Sequence, residues 1–248
     1  MKKKLISLLL SLIVILSFSI SSIYADTNNK GKVIYLSLNR TSLENLLEIP
    51  IIKEKTSNSG YVALMTTKGD GSNTDQKSFA SIGSWVRANV LDEDYVKFET
   101  LNENEKTQFE AATGVKSWAI GNIKINRNIN QNTDNGGYGA TLGMLGTTLN
   151  KNNLKVALLG NSDIKKNDDL KKIRNLALVC MDENGRVQSG NVDNINKKDD
   201  TMPFGISTDY DKLKSETKKY YENNDAIFVE LGDTYRLDEY KNNLNENT

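Results

Sequence analysis

Histidine is absent from the 248 residues, and cysteine occurs once. Without histidine the chain holds no Ser-His-Asp triad, no Cys-His pair and no histidine-ligated zinc on its own residues. With Cys180 alone it closes no internal disulfide. Cys180 lies inside the apolar run Leu176–Met181, the setting of a packed core thiol rather than a reactive one. An excess of one charge is also lacking. Lys+Arg and Asp+Glu are each 32, and Lys2, Lys3 and Lys4 fall in the first 25 residues, which hold no acid. The remainder carries 29 basic against 32 acidic residues, a net −3, and this speaks against nucleic acid as a partner. A long hydrophobic run is missing too. The apolar stretch Leu5–Ile20 falls short of the ~20 residues of a full membrane span.

What stands at that end has the parts of an export signal: a lysine start, a short apolar stretch and the small residue Ala25 before Asp26. Residues 1–25 are therefore expected to be a signal peptide, and the protein to be extracytoplasmic, either secreted or associated with the cell envelope. Ile23 is bulky for its place two residues before the cut, which keeps an uncleaved leader open as the one membrane contact. About 220 residues remain, enough for one large α/β domain over 26–248.

Three strand-like runs end in short polar clusters: Val33–Arg40, Val156–Asp163 and Ala226–Thr234. Near-continuous apolar runs of this length suit strands buried on both faces. Further strands are expected over 60–67, 118–125 and 176–181. Helices are expected to open at Thr41-Ser42-Leu43-Glu44, which has capping-box spacing, and to cover 78–90, 140–149 and the segment after Thr208. Pro50 should break the first of these helices. The Asn- and Gly-rich stretch 126–139 reads as a loop, and 168–174 as a polar helical piece. The alternation predicts an α/β fold, a mostly parallel sheet with helices on both faces. Ligands of open α/β sheets bind outside the carboxyl ends of the strands. Asn39, Asn161, Asp163 and Asp233 are therefore expected to meet at one rim.

Three stretches carry a family resemblance: Val33–Arg40, Gly69–Ala88 with Thr74-Asp75-Gln76-Lys77-Ser78 in it, and Ile227–Arg236 with Val229-Glu230-Leu231-Gly232-Asp233. They resemble the alkaline phosphatase superfamily and, within it, a clostridial branch of exported phosphoglyceromutase-like proteins. The resemblance implies an alkaline phosphatase-like core, with Thr74 as nucleophile, Asn39 and Asp233 as metal ligands, and a divalent zinc, manganese or magnesium ion as cofactor. Relatives of this branch are longer, so the chain looks like an amino-terminal portion of their architecture. A metal-activated hydroxyl needs no histidine. Thr74 also precedes a helix, whose free amides favour a phosphate, and Arg40 could grip that phosphate in two-pronged fashion. The sequence departs from the pattern in two places. Asn39 stands where the family has an aspartate, and Arg236-Leu237 stand where it has a histidine.

Each candidate also has a plain structural reading. Thr74 could cap the following helix, Asn39-Arg40 could form a turn, and Asp233 could cap a last helix. Two functions follow from these alternatives. One is an exported metal-dependent hydrolase or phosphotransferase acting on a small phosphorylated or envelope-derived substrate. The other is a non-catalytic cell-envelope domain that keeps the fold without the metal centre.

Overall fold

The computed structural model describes residues 31–91, 96–135, 137–166 and 169–245, so the expected signal peptide lies outside the described residues. In chain order the elements are β1 (Val33–Ser37), α1 (Leu43–Leu47), α2 (Pro50–Asn58), α3 (Asp75–Ser84), β2 (Glu99–Thr100), α4 (Glu103–Thr113), β3 (Ile120–Gly121), α5 (Asn126–Asn135) and α6 (Met144–Lys151). They continue with β4 (Val156–Asn161), β5 (Ile164–Lys166), β6 (Asp169–Lys171), α7 (Ala177–Cys180), β7 (Arg186–Val187), β8 (Ser189–Asn191), β9 (Asn196–Lys198), β10 (Ile206–Thr208), α8 (Tyr210–Asn223), β11 (Ala226–Leu231) and α9 (Asp233–Asn245). From Lys32 onward the chain forms one compact unit.

Its centre is a four-stranded, all-parallel sheet in the order β1-β11-β4-β8. The central strands β4 and β11 bury residues on both faces. Val156, Leu158, Ala226 and Phe228 pack with Phe79 and Ala80 of α3, Leu145 of α6 and all of α7. Ala157, Leu159, Ile227 and Val229 pack with Leu213 and Tyr220 of α8 on the other side. This two-sided burial is the physical reason for the unbroken apolar runs. The fold class read from the sequence, α/β with a parallel sheet between helices, is therefore the one observed.

The small elements differ more from expectation. Residues 126–135 form a helix rather than a loop. Its Asn128 and Asn132, one turn apart and buried, hold the backbone of 89–91: Leu91 N donates to Asn128 Oδ1 at 2.8 Å and Asn89 N to Asn132 Oδ1 at 2.8 Å. Residues 177–180 form a short helix rather than a strand. It is buried on every side, so its apolar pattern carries no period that separates the two. Residues 169–171 are a strand of a small hairpin, not helical. In 118–125 only Ile120–Gly121 pairs as a strand. Pro50 does end the first helix, and it then opens the second at its first position.

Segment 61–67 is strand-like in composition, but among the described residues it pairs with no strand, so the strand expected over 60–67 is not formed there. Among the described residues no helix is long and apolar enough to cross a membrane.

Candidate functional site

The parallel register sets Ser37, Glu230 and Gly160 abreast at the carboxyl ends of β1, β11 and β4. Gly160 is required there. Its φ is +84°, and a Cβ would meet the carbonyl oxygen of Glu230 at 2.1 Å. The rim just beyond this row is built from the residues that follow each strand.

Glu230 is its hub, fully enclosed although it is an acid inside an apolar strand. Its Oε1 accepts from Ser162 Oγ at 2.6 Å and from Asn39 Nδ2 at 3.0 Å. Asn39 Oδ1 in turn accepts from Ser37 Oγ at 2.8 Å. Burial pushes the Glu230 carboxyl up to about 7, against the opposing pull of the Ser162 hydrogen bond.

Two buried arginines flank this hub. Arg236, at i+3 from Asp233 on α9, donates through Nε to Asp233 Oδ1 at 3.1 Å, through Nη1 to the Asp163 carbonyl at 3.0 Å and through Nη2 to Thr208 Oγ1 at 2.7 Å. Arg174 pairs with Asp163 at 2.9 Å and with Asp193 at 2.7 Å, and its Nη1 donates to the Phe98 carbonyl at 2.8 Å. Burial raises the Asp163 carboxyl, with Arg174 pulling the other way. Asn161 and Asp163 are thus buried rim residues rather than solvated turn residues.

The residues singled out from sequence fall into two groups. Asn39 reaches the hub. Asp233 lies at the other side of α9's first turn, where its Oδ1 accepts from Thr208 N at 3.0 Å as well as from Arg236. Thr74 is exposed and caps α3, with its Oγ1 accepting from Lys77 N at 3.3 Å. Arg40 bridges α3 and α9. It contacts Asp75 Oδ2 at 2.8 Å, Glu239 Oε2 at 2.8 Å and Asp238 Oδ2 at 3.3 Å, and stacks over the Tyr235 ring at 4.3 Å. Burial works against the charge of Arg40, but its hydrogen bond to Glu239 and the charge of Asp75 outweigh that and raise its proton affinity.

This donor set does not fit the divalent ion that the resemblance implies. Among the described residues no group of three or more Asp, Glu or Cys side chains could hold a metal. Asp233 already faces a guanidinium, and Asn39 faces the hub carboxylate. The Asp75 carboxylate in the first turn of α3 already holds Arg40, the guanidinium that the resemblance would set on a phosphate. The Cys180 thiol is buried, and its burial raises its proton affinity, so it is no nucleophile.

Three residues central to this rim were not candidates in the sequence: Glu230, Arg236 and Arg174. Glu230 carries a signal, as the lone charge in Ala226–Leu231. The arginines carry little, because apart from Asp233, three residues before Arg236, their partners are remote in the chain. Comparison with known proteins adds no assignment: no protein-family model matches the chain, and neither does any curated protein or solved structure.

The Thr74 geometry gives a direct expectation. Thr74→Ala should lower stability by about 1 kcal/mol through loss of the cap, and Thr74→Ser should be near neutral, both read from urea midpoints.

Proposed function

We propose that the protein is a non-catalytic extracytoplasmic α/β domain whose strand-end rim is a structural polar seam. The observation that carries this reading is the engagement of every candidate group. The Asn39 amide and Glu230 satisfy each other, Asp233 is matched by Arg236 and Thr208, Arg40 is matched by three carboxylates, and Thr74 serves α3 as a cap. A buried polar group with its partners in place stabilises and fixes a structure but leaves no free valence for a ligand. The location rests on the leader-like residues 1–25.

The competing reading, an exported phosphoester hydrolase, has one observation in its favour. Arg40 brings the start of α3, and with it Thr74, against α9 at the carboxyl side of the sheet. Calorimetry and an aryl phosphate assay separate the two. With zinc, manganese or magnesium added, the non-catalytic domain gives no stoichiometric isotherm and no hydrolysis above background. A clear stoichiometric isotherm, with hydrolysis lost in Thr74→Ala but kept in Ser78→Ala, would sink this proposal.

A further inference from the structure

Segment 61–67 (Tyr61 to Thr67) is rich in strand formers and belongs to no helix or strand, and none of its backbone groups has a hydrogen-bond partner among the described residues. Its apolar side chains face water: Tyr61, Val62, Leu64 and Met65 are all exposed, Leu64 at 95%. The segment runs into a groove of about 520 Å³ lined by Met65, Lys68, Ile82, Trp85, Val86 and Arg87.

Two further observations mark this groove. The first is backbone strain. Trp85 ends α3 in the left-handed conformation, with φ 61° and ψ 6°, where helices ordinarily place glycine. A bulky residue is disfavoured there. Trp85 is also 62% exposed, so packing does not account for it. Strain of this kind recurs at ligand contacts. The second is charge. Among the described residues its lining has two cations and no acid. Among the described residues neither Lys68 nor Arg87 pairs with a carboxylate. Arg87 only donates Nη1 to Tyr138 Oη at 3.0 Å and stacks on that ring.

We propose that this face takes an extended acidic segment of a partner protein. The peptide adds as a strand to the bare backbone of 61–67, lays an apolar side chain on Trp85 and sets carboxylates against Lys68 and Arg87. Main-chain hydrogen bonds supply the affinity in such strand addition, and the alternating side chains supply the selectivity. The inference deepens the reading of the protein as a non-catalytic domain by naming its partner. Its failure is distinguishable, because metal and phosphatase measurements report on the rim and peptide titration on the groove.

The test titrates the full chain by calorimetry with a heptapeptide alternating valine and glutamate. Two controls are the same peptide with lysine for glutamate and the same peptide with alternate amides N-methylated. The acidic peptide should bind at least tenfold more tightly than either control. Lys68→Ala combined with Arg87→Ala should weaken it at least tenfold. Trp85→Gly should weaken it to a similar extent without lowering the melting temperature, since glycine relieves the positive φ. Equal binding of all three peptides, or of none, overturns the proposal. So does a Trp85→Gly protein that melts well below the parent and binds unchanged. Two measurements on the free protein can also overturn it: protection of the 61–67 amides from hydrogen exchange in the monomer, which would mean the segment closes on its own sheet, or elution as a dimer that the peptide does not dissociate, which would make a second copy the occupant.

Discussion

Arg236→Met is expected to remove about 3–5 kcal/mol of stability, the range for taking one partner from a buried ionic cluster. Arg236 is 1% exposed. Its guanidinium ties three segments to the first turn of α9, through the Asn161 and Asp163 carbonyls at the end of β4 and just past it, Asn196 on β9 and Thr208 on β10, and it also pairs with Asp233 of α9 itself. Methionine fills most of the volume but donates to none of these groups. The two carbonyls, the Thr208 hydroxyl and the Asp233 carboxylate are then left short of a partner, and each such loss carries a desolvation cost. Arg236→Lys keeps the charge without the planar fork, so it should recover only part of the loss. Urea unfolding of the three proteins reads this order directly. A loss below about 1 kcal/mol in Arg236→Met would mean that the seam does not hold these segments together.

The same residue explains why the rim reads so differently in sequence and in space. Arg236, with Leu237, stands where the family resemblance expects a histidine. A guanidinium at 3.0 Å from Asp233 occupies the electrostatic place of a cation. From the sequence, Arg236 is one charge in a polar helix, and nothing local tells that it is enclosed. Glu230 shows the same limit. The lone acid in an apolar strand is visible, but Ser162 and Asn39, which satisfy it, lie 68 and 191 positions away.

What the sequence does carry is whatever two-sided burial imprints on a short run. β4 and β11 are legible because both their faces meet helices. The four residues of α7 are not, since burial on every side erases the period. α5 is not legible either, because its asparagines act as a clamp on 89–91, a contact no helix propensity encodes. Segment 61–67 is the converse case. Its composition asks for a strand, and among the described residues the fold supplies no neighbour for it.

The second large effect concerns pH. Glu230 should make the protein less stable as pH rises from about 4.5 to about 7, and Glu230→Gln should abolish that slope. The sign follows from proton counting. Below pH 4.5 the carboxyl is protonated in both states and contributes no slope. Between the ordinary glutamate value of 4.5 and the buried value of about 7, the folded protein keeps a proton that the unfolded chain has released. The folded state then binds more protons, so raising the pH favours unfolding. Above about 7 both states are ionised and the slope vanishes. The full difference is about 3 kcal/mol at 1.36 kcal/mol per pH unit. Asp163 adds to the effect by repelling the ionised form, while Arg236 and the Ser162 hydroxyl work against it. Glutamine keeps the Oε1 acceptor for Ser162 Oγ and Asn39 Nδ2 and removes the titration, at the cost of the acceptor that the carboxylate offers the Leu176 backbone, a loss that is the same at every pH. The measurement is therefore the difference between the two proteins in urea midpoints from pH 5 to pH 8, which cancels the acids they share. Parallel curves would show that Glu230 ionises in the folded state as easily as in the unfolded chain, and that water reaches the carboxyl ends of the sheet.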